Sequence, residues 1–377
     1  MSGQVAPALQ PPRPSRPELH VDSAAIAANV RRAATVSGAA VMAVVKADGF
    51  GAGAASTART ALAAGATWLG TATLDEAVAL RRGGVAAPLL CWVLPVDAAW
   101  EAALRLRIDV AMSSIRHLRA VVDAAAGSGG RARVHLHVDT GMARDGAAAA
   151  DRAALIAAAA TAERLGTIEV VGVMGHLACA DEPSDPSNRE GIAVFRRALA
   201  EVDAVGLRPA VRHLAATEAA LRLPEAAFDL VRIGAGLVGI GPGMHPALTL
   251  TAPVVLLRRA IGGTPVGYGH TVRTARDTVL ATLPLGYADG LPRRLADGAA
   301  VQIGGRRCPV IGRVSMDQVV VDAGPEGVEI GDVATVFGTG ASGEPTAADW
   351  ARWAGTIEHD VVTGIGARVA RVLDGRR

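Results

Sequence analysis

Lysine is almost absent from this sequence. Of its 38 lysine and arginine residues, one is a lysine, Lys46. Arginine stays protonated in proteins, whereas a desolvated lysine can lose its proton and attack a carbonyl carbon to form an imine. Because the chain uses arginine wherever a generic cation suffices, we expect Lys46, which follows the apolar run 41–45, to carry out chemistry that arginine cannot. The alternative is a surface lysine without a role.

Cysteine and aromatic residues are scarce as well. The three cysteines, Cys91, Cys179 and Cys308, are far apart, and none belongs to a Cys-x-x-Cys pair. This spacing argues against a disulfide framework and against a zinc site, and it predicts reduced thiols in a cytoplasmic protein. Aromatic residues make up 3% of the chain, so we expect aliphatic cores.

Excess charge and long apolar runs are also missing. The formal net charge is +2, which gives no electrostatic reason to expect a nucleic acid or an anionic membrane as a partner. No segment predicts a membrane span, because the most apolar helical stretch, 147–162, contains Asp151 and Arg152. Residues 1–17 are rich in proline and lack the apolar core of a signal peptide, so we expect a disordered leader there.

After the leader, short apolar segments alternate with alanine-rich amphipathic segments. This alternation predicts eight strands joined by helices, with the strands at 40–45, 67–70, 88–93, 108–112, 133–138, 168–173, 211–214 and 229–231. Eight parallel strands are the number that closes a barrel, and we therefore expect an α/β fold with a TIM-type (β/α)₈ barrel over residues 18–246. An open doubly wound sheet is the alternative, disfavoured because no Gly-x-Gly-x-x-Gly follows an early strand.

Beyond residue 246 the helical patterns nearly vanish. Short strands are predicted at 252–261, 278–284, 300–303, 307–311, 318–322 and 333–337, with one helix near 346–353. The chain is long enough for two domains, and we expect a C-terminal mainly-β domain over residues 247–377.

Unusual polar residues stand at the carboxyl ends of the predicted barrel strands, where such a barrel carries its active site. They are Lys46, His137, Asp139, Arg144, His176, His213, Thr217, Arg232 and Gly234. Thr217 opens a short predicted helix, and Gly234-Ala235-Gly236 offers bare backbone N–H groups, so together they could bind a phosphate. An imine-forming lysine on a barrel suggests an aldolase or a pyridoxal phosphate enzyme. Each residue taken singly is also compatible with a satisfied core histidine, a solvated arginine or a turn glycine.

Several short motifs together resemble the alanine racemase family, from about residue 18 to residue 371. They are Val44-Val45-Lys46-Ala47-Asp48-Gly49-Phe50-Gly51, Val138-Asp139-Thr140-Gly141-Met142 with Arg144, Gly175-His176-Leu177-Ala178, Val231-Arg232-Ile233-Gly234, Pro284-Leu285-Gly286-Tyr287-Ala288-Asp289-Gly290 and Ser315-Met316-Asp317-Gln318. The resemblance implies a cofactor, pyridoxal 5′-phosphate, a small amino acid as substrate, and a homodimer with shared active sites.

The resemblance also implies roles for individual residues. Lys46 would hold the cofactor and act as the base on one face of the substrate Cα, and Tyr268 of the partner subunit would act from the other face. The implied cofactor contacts are Arg144, His176, Thr217, Arg232 (facing the pyridine nitrogen), Gly234, Ala235 and His359. The implied substrate contacts are Arg144, His137, Tyr287, Met316 and Asp317, and no metal is expected.

The chemistry is compatible with these roles. Racemisation needs two proton-transfer groups on opposite faces of the same carbon, which a lysine and a tyrosine can provide if cations and desolvation favour the neutral amine and the phenolate. An arginine at the ring nitrogen would leave that nitrogen unprotonated and moderate electron withdrawal, which discourages side reactions.

Four positions depart from the family pattern. Phe50 replaces a tyrosine, Ala216 replaces an asparagine, His137 stands where many members carry a carbamylated lysine, and His359 replaces a tyrosine that reaches the phosphate. From these departures we predict weaker cofactor binding and a more polar or wider entrance, which could suit serine as well as alanine.

Two other functions are also compatible with the sequence. One is an amino-acid decarboxylase on the same scaffold, which the arginine at position 232 disfavours because such enzymes carry an acidic residue near the ring nitrogen. The other is a non-catalytic pyridoxal phosphate carrier, which resembles a single barrel without the second domain.

Overall fold

The computed structural model describes residues 14–374. Most of the leader predicted over residues 1–17 therefore lies outside the described residues. The described residues form two compact units: Asp22–Ala247 is one, and residues 14–21 together with 248–374 are the other.

The first unit is an eight-stranded parallel barrel. The strand β1 (Glu18–Asp22) precedes it, and the barrel strands are β2 (Ala40–Val44), β3 (Trp68–Thr71), β4 (Leu89–Cys91), β5 (Asp109–Met112), β6 (Ala132–His137), β7 (Ile168–Met174), β8 (Val211–His213) and β9 (Leu230–Ile233). Each strand pairs with its neighbour in chain order from β2 to β8, and β2 also pairs with β9. A single parallel bridge between Ala216 and Arg232 connects the β8 side to β9 and nearly closes the barrel. The predicted barrel and its eight strands are thus confirmed.

Helices separate the barrel strands. They are α1 (Ser23–Ser37), the short turn α2 (Lys46–Phe50), α3 (Ala54–Ala63), α4 (Leu74–Arg82), α5 (Trp100–Arg105), α6 (Ile115–Ser128), α7 (Ala149–Arg164), α8 (Pro186–Ala204) and α9 (Thr217–Arg222). The side chain of Asp22 caps α1 by accepting hydrogen bonds from the N–H groups of Ala24 and Ala25. The buried faces are largely alanine, valine and leucine, as the composition predicts.

His135 is a polar residue in the barrel interior, and its ring needs extra space. The pairing of β6 with β7 shifts register between Val134 and His135. Opposite the shift lies Gly172, where an added Cβ would stand 2.3 Å from Nδ1 of His135. The imidazole of His135, which is fully buried, therefore fits because residue 172 has no side chain.

The second unit consists mainly of β-strands. Its strands after β1 are β10 (Leu248–Pro253), β11 (Leu256–Ala260), β12 (Pro265–Val266), β13 (Val272–Arg273), β14 (Thr278–Leu283), β15 (Ala300–Ile303), β16 (Arg306–Pro309), β17 (Val319–Asp322), β18 (Val333–Phe337) and β19 (Ala370–Asp374), and its helices are α10 (Ala347–Ala354) and α11 (Glu358–Thr363). They form a six-stranded sheet in the order β16-β15-β18-β10-β1-β19, a three-stranded sheet β11-β14-β17 and the hairpin β12-β13. A C-terminal mainly-β domain was predicted, and the structure has one.

Details of this unit differ from the predictions. The strand expected over 252–261 is two strands, β10 and β11, which belong to different sheets. The residues from Glu18 to Val21 were assigned to the barrel, but β1 pairs antiparallel with β10 in the second unit. Leu19 and Val21 are fully buried there, and a run of two apolar residues between prolines and a helix is too short for its pattern to indicate which domain it joins. The helix α11 was not predicted.

No helix within residues 14–374 is long and apolar enough to cross a membrane.

The contact between Gly172 and His135 generates a stability prediction. We expect Gly172→Ala to lower the free energy of unfolding by roughly 1–3 kcal/mol, because the added methyl group overlaps the His135 ring in a packed interior. Urea denaturation measures the change. The matched control is Gly127→Ala in α6, where an added Cβ meets nothing within 4 Å, and which should stabilise the protein by at most about 1 kcal/mol. Equal stability of Gly172→Ala and wild type would contradict the tight fit.

Candidate active site

The amine of Lys46 lies in a desolvated, positively charged environment at the end of β2. Burial is the largest cause that lowers the pKa of Lys46 below its ordinary value, and the charges of Arg144 and Arg232 lower it further, while Glu76 acts in the opposite direction. The Nζ atom also lies 6.0 Å from the centroid of the Trp92 ring. Burial and two neighbouring cations favour the neutral, nucleophilic amine that the sequence analysis predicts.

The backbone after Lys46 is strained. The turn α2 is left-handed, with φ of 51° at Ala47, 52° at Asp48 and 66° at Gly49, and Phe50 follows with φ of 57°. A left-handed conformation costs roughly 1–2 kcal/mol at each residue that carries a Cβ. Strain of this kind persists where the surroundings impose it and is concentrated at functional sites.

Glu76 is one of the groups that impose the turn. Its Oε1 accepts a hydrogen bond of 2.7 Å from the N–H of Ala47, and its Oε2 accepts bonds of 3.0 and 3.1 Å from the N–H groups of Ala72 and Thr73. Glu76 belongs to the capping box that begins α4. One carboxylate therefore ties the residue after Lys46 to the end of β3, and its charge is satisfied by backbone donors.

The guanidinium of Arg232 is buried and has no carboxylate partner within residues 14–374. Its Nη1 donates to the carbonyl oxygen of His213 at 2.8 Å and to Nδ1 of His213 at 3.2 Å. Its Nη2 donates to the carbonyl oxygens of Gly175 at 2.7 Å and Leu214 at 3.1 Å, and to Nδ1 of His176 at 3.1 Å. Among the described residues, Nε of Arg232 has no acceptor. Burial, with a contribution from Arg144, lowers the pKa of Arg232 to about 10.

Both histidines that contact Arg232 are neutral. Burial and then the charges of Arg232, Arg144, Lys46 and His137 lower the pKa of His176 to about 3. Burial and Arg232 lower the pKa of His213 well below its ordinary value. An arginine donates only, so each Nδ1 must be the acceptor and each ring carries its proton on Nε2.

Thr217 and the glycine loop after β9 come together as predicted for an anion site. The Oγ1 of Thr217 accepts hydrogen bonds from the N–H groups of Gly234 at 3.4 Å and Gly236 at 3.2 Å. An added Cβ at Gly234 would lie 2.7 Å from the ring of Phe50, and one at Gly236 would lie 2.9 Å from Cγ2 of Thr217. The glycines thus keep a narrow backbone cradle between Phe50 and Thr217, and Ala235 lies between them in the chain.

His137 has an acidic neighbour that the sequence analysis did not consider. Its Nδ1 lies 3.4 Å from Oδ2 of Asp145 and 3.4 Å from Oγ of Ser113. Burial raises the pKa of Asp145, but hydrogen bonds from His137 and Ser113 outweigh it and hold the pKa below its usual range. Within residues 14–374, Arg144 makes no hydrogen bond, and its side chain is exposed and available to a ligand.

In the second unit, three of the predicted substrate residues lie together. The N–H of Tyr287 donates to the carbonyl oxygen of Ser315 at 3.0 Å, and the N–H of Ala288 donates to that of Met316 at 3.0 Å. Asp317 follows Met316 and pairs with Arg368 at 2.8 Å, and Arg368 also pairs with Asp289 at 2.8 Å. Tyr287 and Met316 are 38% and 52% exposed, so both remain accessible to a ligand.

Tyr268 and His359 occupy other parts of the second unit. Tyr268 begins the short turn Tyr268–His270 between Gly267 and the left-handed Gly269, and its side chain is 65% exposed. His359 lies in the first turn of α11, and its carbonyl oxygen accepts a hydrogen bond from the hydroxyl of Thr363. The structure describes both residues without showing a role for either.

Several residues in these clusters were not predicted from the sequence. They are Glu76, Trp92, Asp109, His135, Asp145 and Arg368. A capping-box pattern was available to find Glu76, as Thr73 precedes it by three positions. The others act through contacts between segments far apart in the chain.

The part of the chain that the structure describes contains neither a candidate metal site nor a disulfide. Residues 14–374 contain no group of three or more His, Cys, Asp or Glu side chains placed to hold a metal ion. Cys91, Cys179 and Cys308 are all free, and burial raises the pKa of Cys91 to about 12.

Two family models match the chain. The alanine racemase N-terminal domain matches residues 21–242, and the alanine racemase C-terminal domain matches residues 247–373. An alanine racemase from Salinispora arenicola is 46% identical over 367 residues, which cover 96% of this chain and 99% of the relative.

Solved structures agree with the sequence comparison. The alanine racemase of D-cycloserine-producing Streptomyces lavendulae matches with a TM-score of 0.94 at 43% identity, and the match covers 97% of this chain and 98% of that one. The alanine racemase of Bartonella henselae, solved with covalently bound pyridoxal phosphate, matches with a TM-score of 0.85 at 27% identity and coverage of 96% and 100%.

Because Lys46 is the one lysine, its titration can be measured directly. We expect its reaction with an amine reagent, followed against pH in cofactor-free protein, to give a pKa below that of an ordinary lysine. Arg144→Gln should raise this pKa, since it removes a cation, and Glu76→Gln should lower it, since it removes an anion. Peptide mapping separates Lys46 from the N-terminal amine. An ordinary pKa in the wild type, or shifts of the opposite sign, would refute this account of the site.

Proposed function

The chain belongs to the alanine racemase family, and from this premise we propose that it is a pyridoxal phosphate-dependent racemase that interconverts L- and D-alanine. The observation that carries the proposal is the environment of Lys46, the one lysine of the chain, whose pKa is lowered by burial and by Arg144 and Arg232. A lowered pKa favours the neutral, nucleophilic form of the amine, and this is the form that attaches such a cofactor.

The barrel residues fit the cofactor. The backbone cradle at Gly234, Ala235 and Gly236, with Thr217 beside it, suits a phosphate, because an added Cβ at either glycine would fill it. The Nε of Arg232 has no acceptor among residues 14–374 and would donate to the pyridine nitrogen, while His176 would lie beside the ring. When bound, pyridoxal phosphate withdraws electrons from the substrate Cα, which makes the proton there removable.

Two residues would move the proton. Lys46 would take it from, or return it to, the Cα on one face, and Tyr268 of the partner subunit would do the same on the other face. The side chain of Tyr268 is 65% exposed, which leaves the hydroxyl free to reach a site in another chain. This assignment requires a homodimer with shared active sites, which we include in the proposal.

A small amino acid would be held mainly by its carboxylate. Arg144 is exposed and can donate to the carboxylate. We propose His137, Tyr287 and the backbone of Met316 as further substrate contacts. Asp317 would act through its pair with Arg368. We propose alanine as the principal substrate. Serine is the alternative, because His359 would make the entrance of the active site more polar.

Two departures from the family pattern bear on cofactor affinity. The ring of Phe50 packs against Gly234, at the cradle proposed for the phosphate, and it offers no hydroxyl there. His359 replaces the second tyrosine of the family pattern, and we propose that its side chain also contacts the phosphate. We therefore propose weaker phosphate anchoring than in family members with both tyrosines. The three free cysteines support the proposed cytoplasmic location, where thiols stay reduced.

The attachment and the reaction are tested together. Borohydride reduction of the protein loaded with pyridoxal phosphate should fix the cofactor to Lys46, and chiral chromatography should show that L-alanine and D-alanine are interconverted. The matched control is Lys46→Arg, which keeps the positive charge but should neither retain the cofactor after reduction nor racemise. Release of carbon dioxide, or no change in alanine chirality with a loaded enzyme, would overturn the function. A comparison with L-serine settles the preferred substrate.

Action of Tyr268 in the partner subunit makes a further prediction. Lys46→Ala and Tyr268→Phe should each be inactive alone, but a mixture allowed to exchange subunits should recover about a quarter of wild-type activity, because about half of the dimers are mixed and each has one intact site. The control is a mixture of Tyr287→Phe with Lys46→Ala, whose activity should be the same before and after the subunits exchange. No recovery in the first mixture would mean that Tyr268 acts within its own chain or not at all.

A further inference from the structure

The interior of the barrel contains a chain of polar groups that begins at Arg232 and ends near the opposite end of the strands. Nη1 of Arg232 donates to Nδ1 of His213 at 3.2 Å, and Nε2 of His213 lies 2.9 Å from Nδ1 of His135. Nε2 of His135 lies 3.5 Å from Oδ2 of Asp109, at the first residue of β5. Both histidines are fully buried, and Asp109 is 1% exposed.

As long as Nη1 of Arg232 donates to Nδ1 of His213, the protons along this chain have one arrangement. Arg232 cannot accept a hydrogen bond, so Nδ1 of His213 carries a lone pair and its proton is on Nε2. That proton faces His135, so Nδ1 of His135 is the next acceptor and its proton is also on Nε2. The N–H of His135 then faces Oδ2 of Asp109 across 3.5 Å, and Nε2 forms no hydrogen bond among the described residues, so this carboxylate is the acceptor nearest to it that the structure shows. Every donor points away from Arg232.

The carboxylate of Asp109, which faces this last donor, is held in place by Arg133. Arg133 donates to its carboxylate through Nε at 2.7 Å and through Nη2 at 3.2 Å, and Arg133 also pairs with Glu169 at 3.2 Å. Burial raises the pKa of Asp109, but His135 and Arg133 outweigh it and hold the pKa below its usual range. The carboxylate is therefore ionised, and an anion at the end of the chain favours the arrangement in which both imidazoles direct their protons toward it.

The fold makes specific room for His135. The register shift between Val134 and His135 and the missing side chain at Gly172 admit its ring, and Trp68 packs edge-on against it with centroids 5.4 Å apart. An aliphatic side chain such as those that fill most of this core would need neither the shift nor the glycine. The position is shaped for an imidazole.

We propose that His135 and Asp109 are positioning residues of the racemase, which act through His213 to hold Arg232 in the orientation that presents its Nε to the cofactor ring. This inference deepens the proposed function and rests on it for its catalytic meaning. The ionised carboxylate orders His135, His135 orders His213, and His213 offers Arg232 a lone pair. A carboxylate that fixes an imidazole through its distal nitrogen has this effect in other sites, where its loss typically costs about 10–100-fold.

The first measurement needs neither cofactor nor activity. In cofactor-free protein labelled with ¹⁵N-histidine, the signals of His135 and His213 should both report a proton on Nε2, assigned through His135→Gln and His213→Gln. In Asp109→Asn, His135 should become a mixture of its two neutral forms, because an amide can present either its oxygen or its NH₂ group to Nε2. In the form with the proton on Nδ1 of His135, His213 also carries its proton on Nδ1 and no longer accepts from Arg232. A fixed Nε2–H form of His135 in Asp109→Asn would overturn the proposal, whatever the enzyme's reaction turns out to be.

The second measurement uses the loaded enzyme. Asp109→Asn should change the visible absorption of the bound cofactor and lower kcat by about tenfold or more, with little change in KM, because Arg232 is no longer held in one orientation. The matched control is Glu169→Gln, which makes the same carboxylate-to-amide change on the other partner of Arg133 and should leave spectrum, kcat and histidine signals as in wild type. If Asp109→Asn does not fold, His135→Gln is measured by the same spectrum and kcat. An unaltered spectrum and kcat in the variant that folds would overturn the proposal.

Discussion

A buried cation without a neutralising carboxylate organises the carboxyl end of the barrel. Among the residues that the structure describes, Arg232 donates to carbonyl oxygens and to the lone pairs of two histidines and to no carboxylate, so its positive charge is solvated by dipoles but not cancelled. That charge helps keep His176 and His213 neutral and lowers the pKa of Lys46. One guanidinium thus sets the protonation of the groups around it, and truncating it would leave several buried acceptors unpaired.

The barrel supplies the rigidity that this arrangement requires. The bridge between Ala216 and Arg232 that nearly closes the barrel also places the arginine next to the cradle at Thr217 and Gly234. On the adjacent strand β2, the strained left-handed turn after Lys46 is held by the carboxylate of Glu76. The amine and the guanidinium are therefore fixed by the two strands, β2 and β9, that pair with each other.

The sequence predicts the outline of this site because its signals are local. A lone lysine after an apolar run, strand-end histidines and a Gly-Ala-Gly segment are each visible within a few residues, and parallel strands bring such ends together. It does not predict Asp109 or His135, because Asp109 lies 24 positions from Arg133, His135 lies 78 positions from His213, and the place of His135 depends on a register shift and a glycine on the neighbouring strand. It does not predict Asp145 because the loop after β6 has to bring this residue back to His137. The strand β1 was assigned to the wrong domain for the same reason, since its partner β10 lies more than two hundred residues along the chain.

The anionic side chains at this end of the barrel are already engaged. Asp145 brings an anion to the same strand end, but it faces His137 and Ser113, and the carboxylate of Glu76 is occupied by three backbone donors. Within residues 14–374 neither anion pairs with Arg144 or Arg232, so both arginines keep their positive charge for an incoming ligand. A site that retains two uncancelled cations beside a lysine with a lowered pKa favours a ligand with two separate anionic groups, and a phosphate-bearing cofactor with an amino-acid carboxylate would supply both.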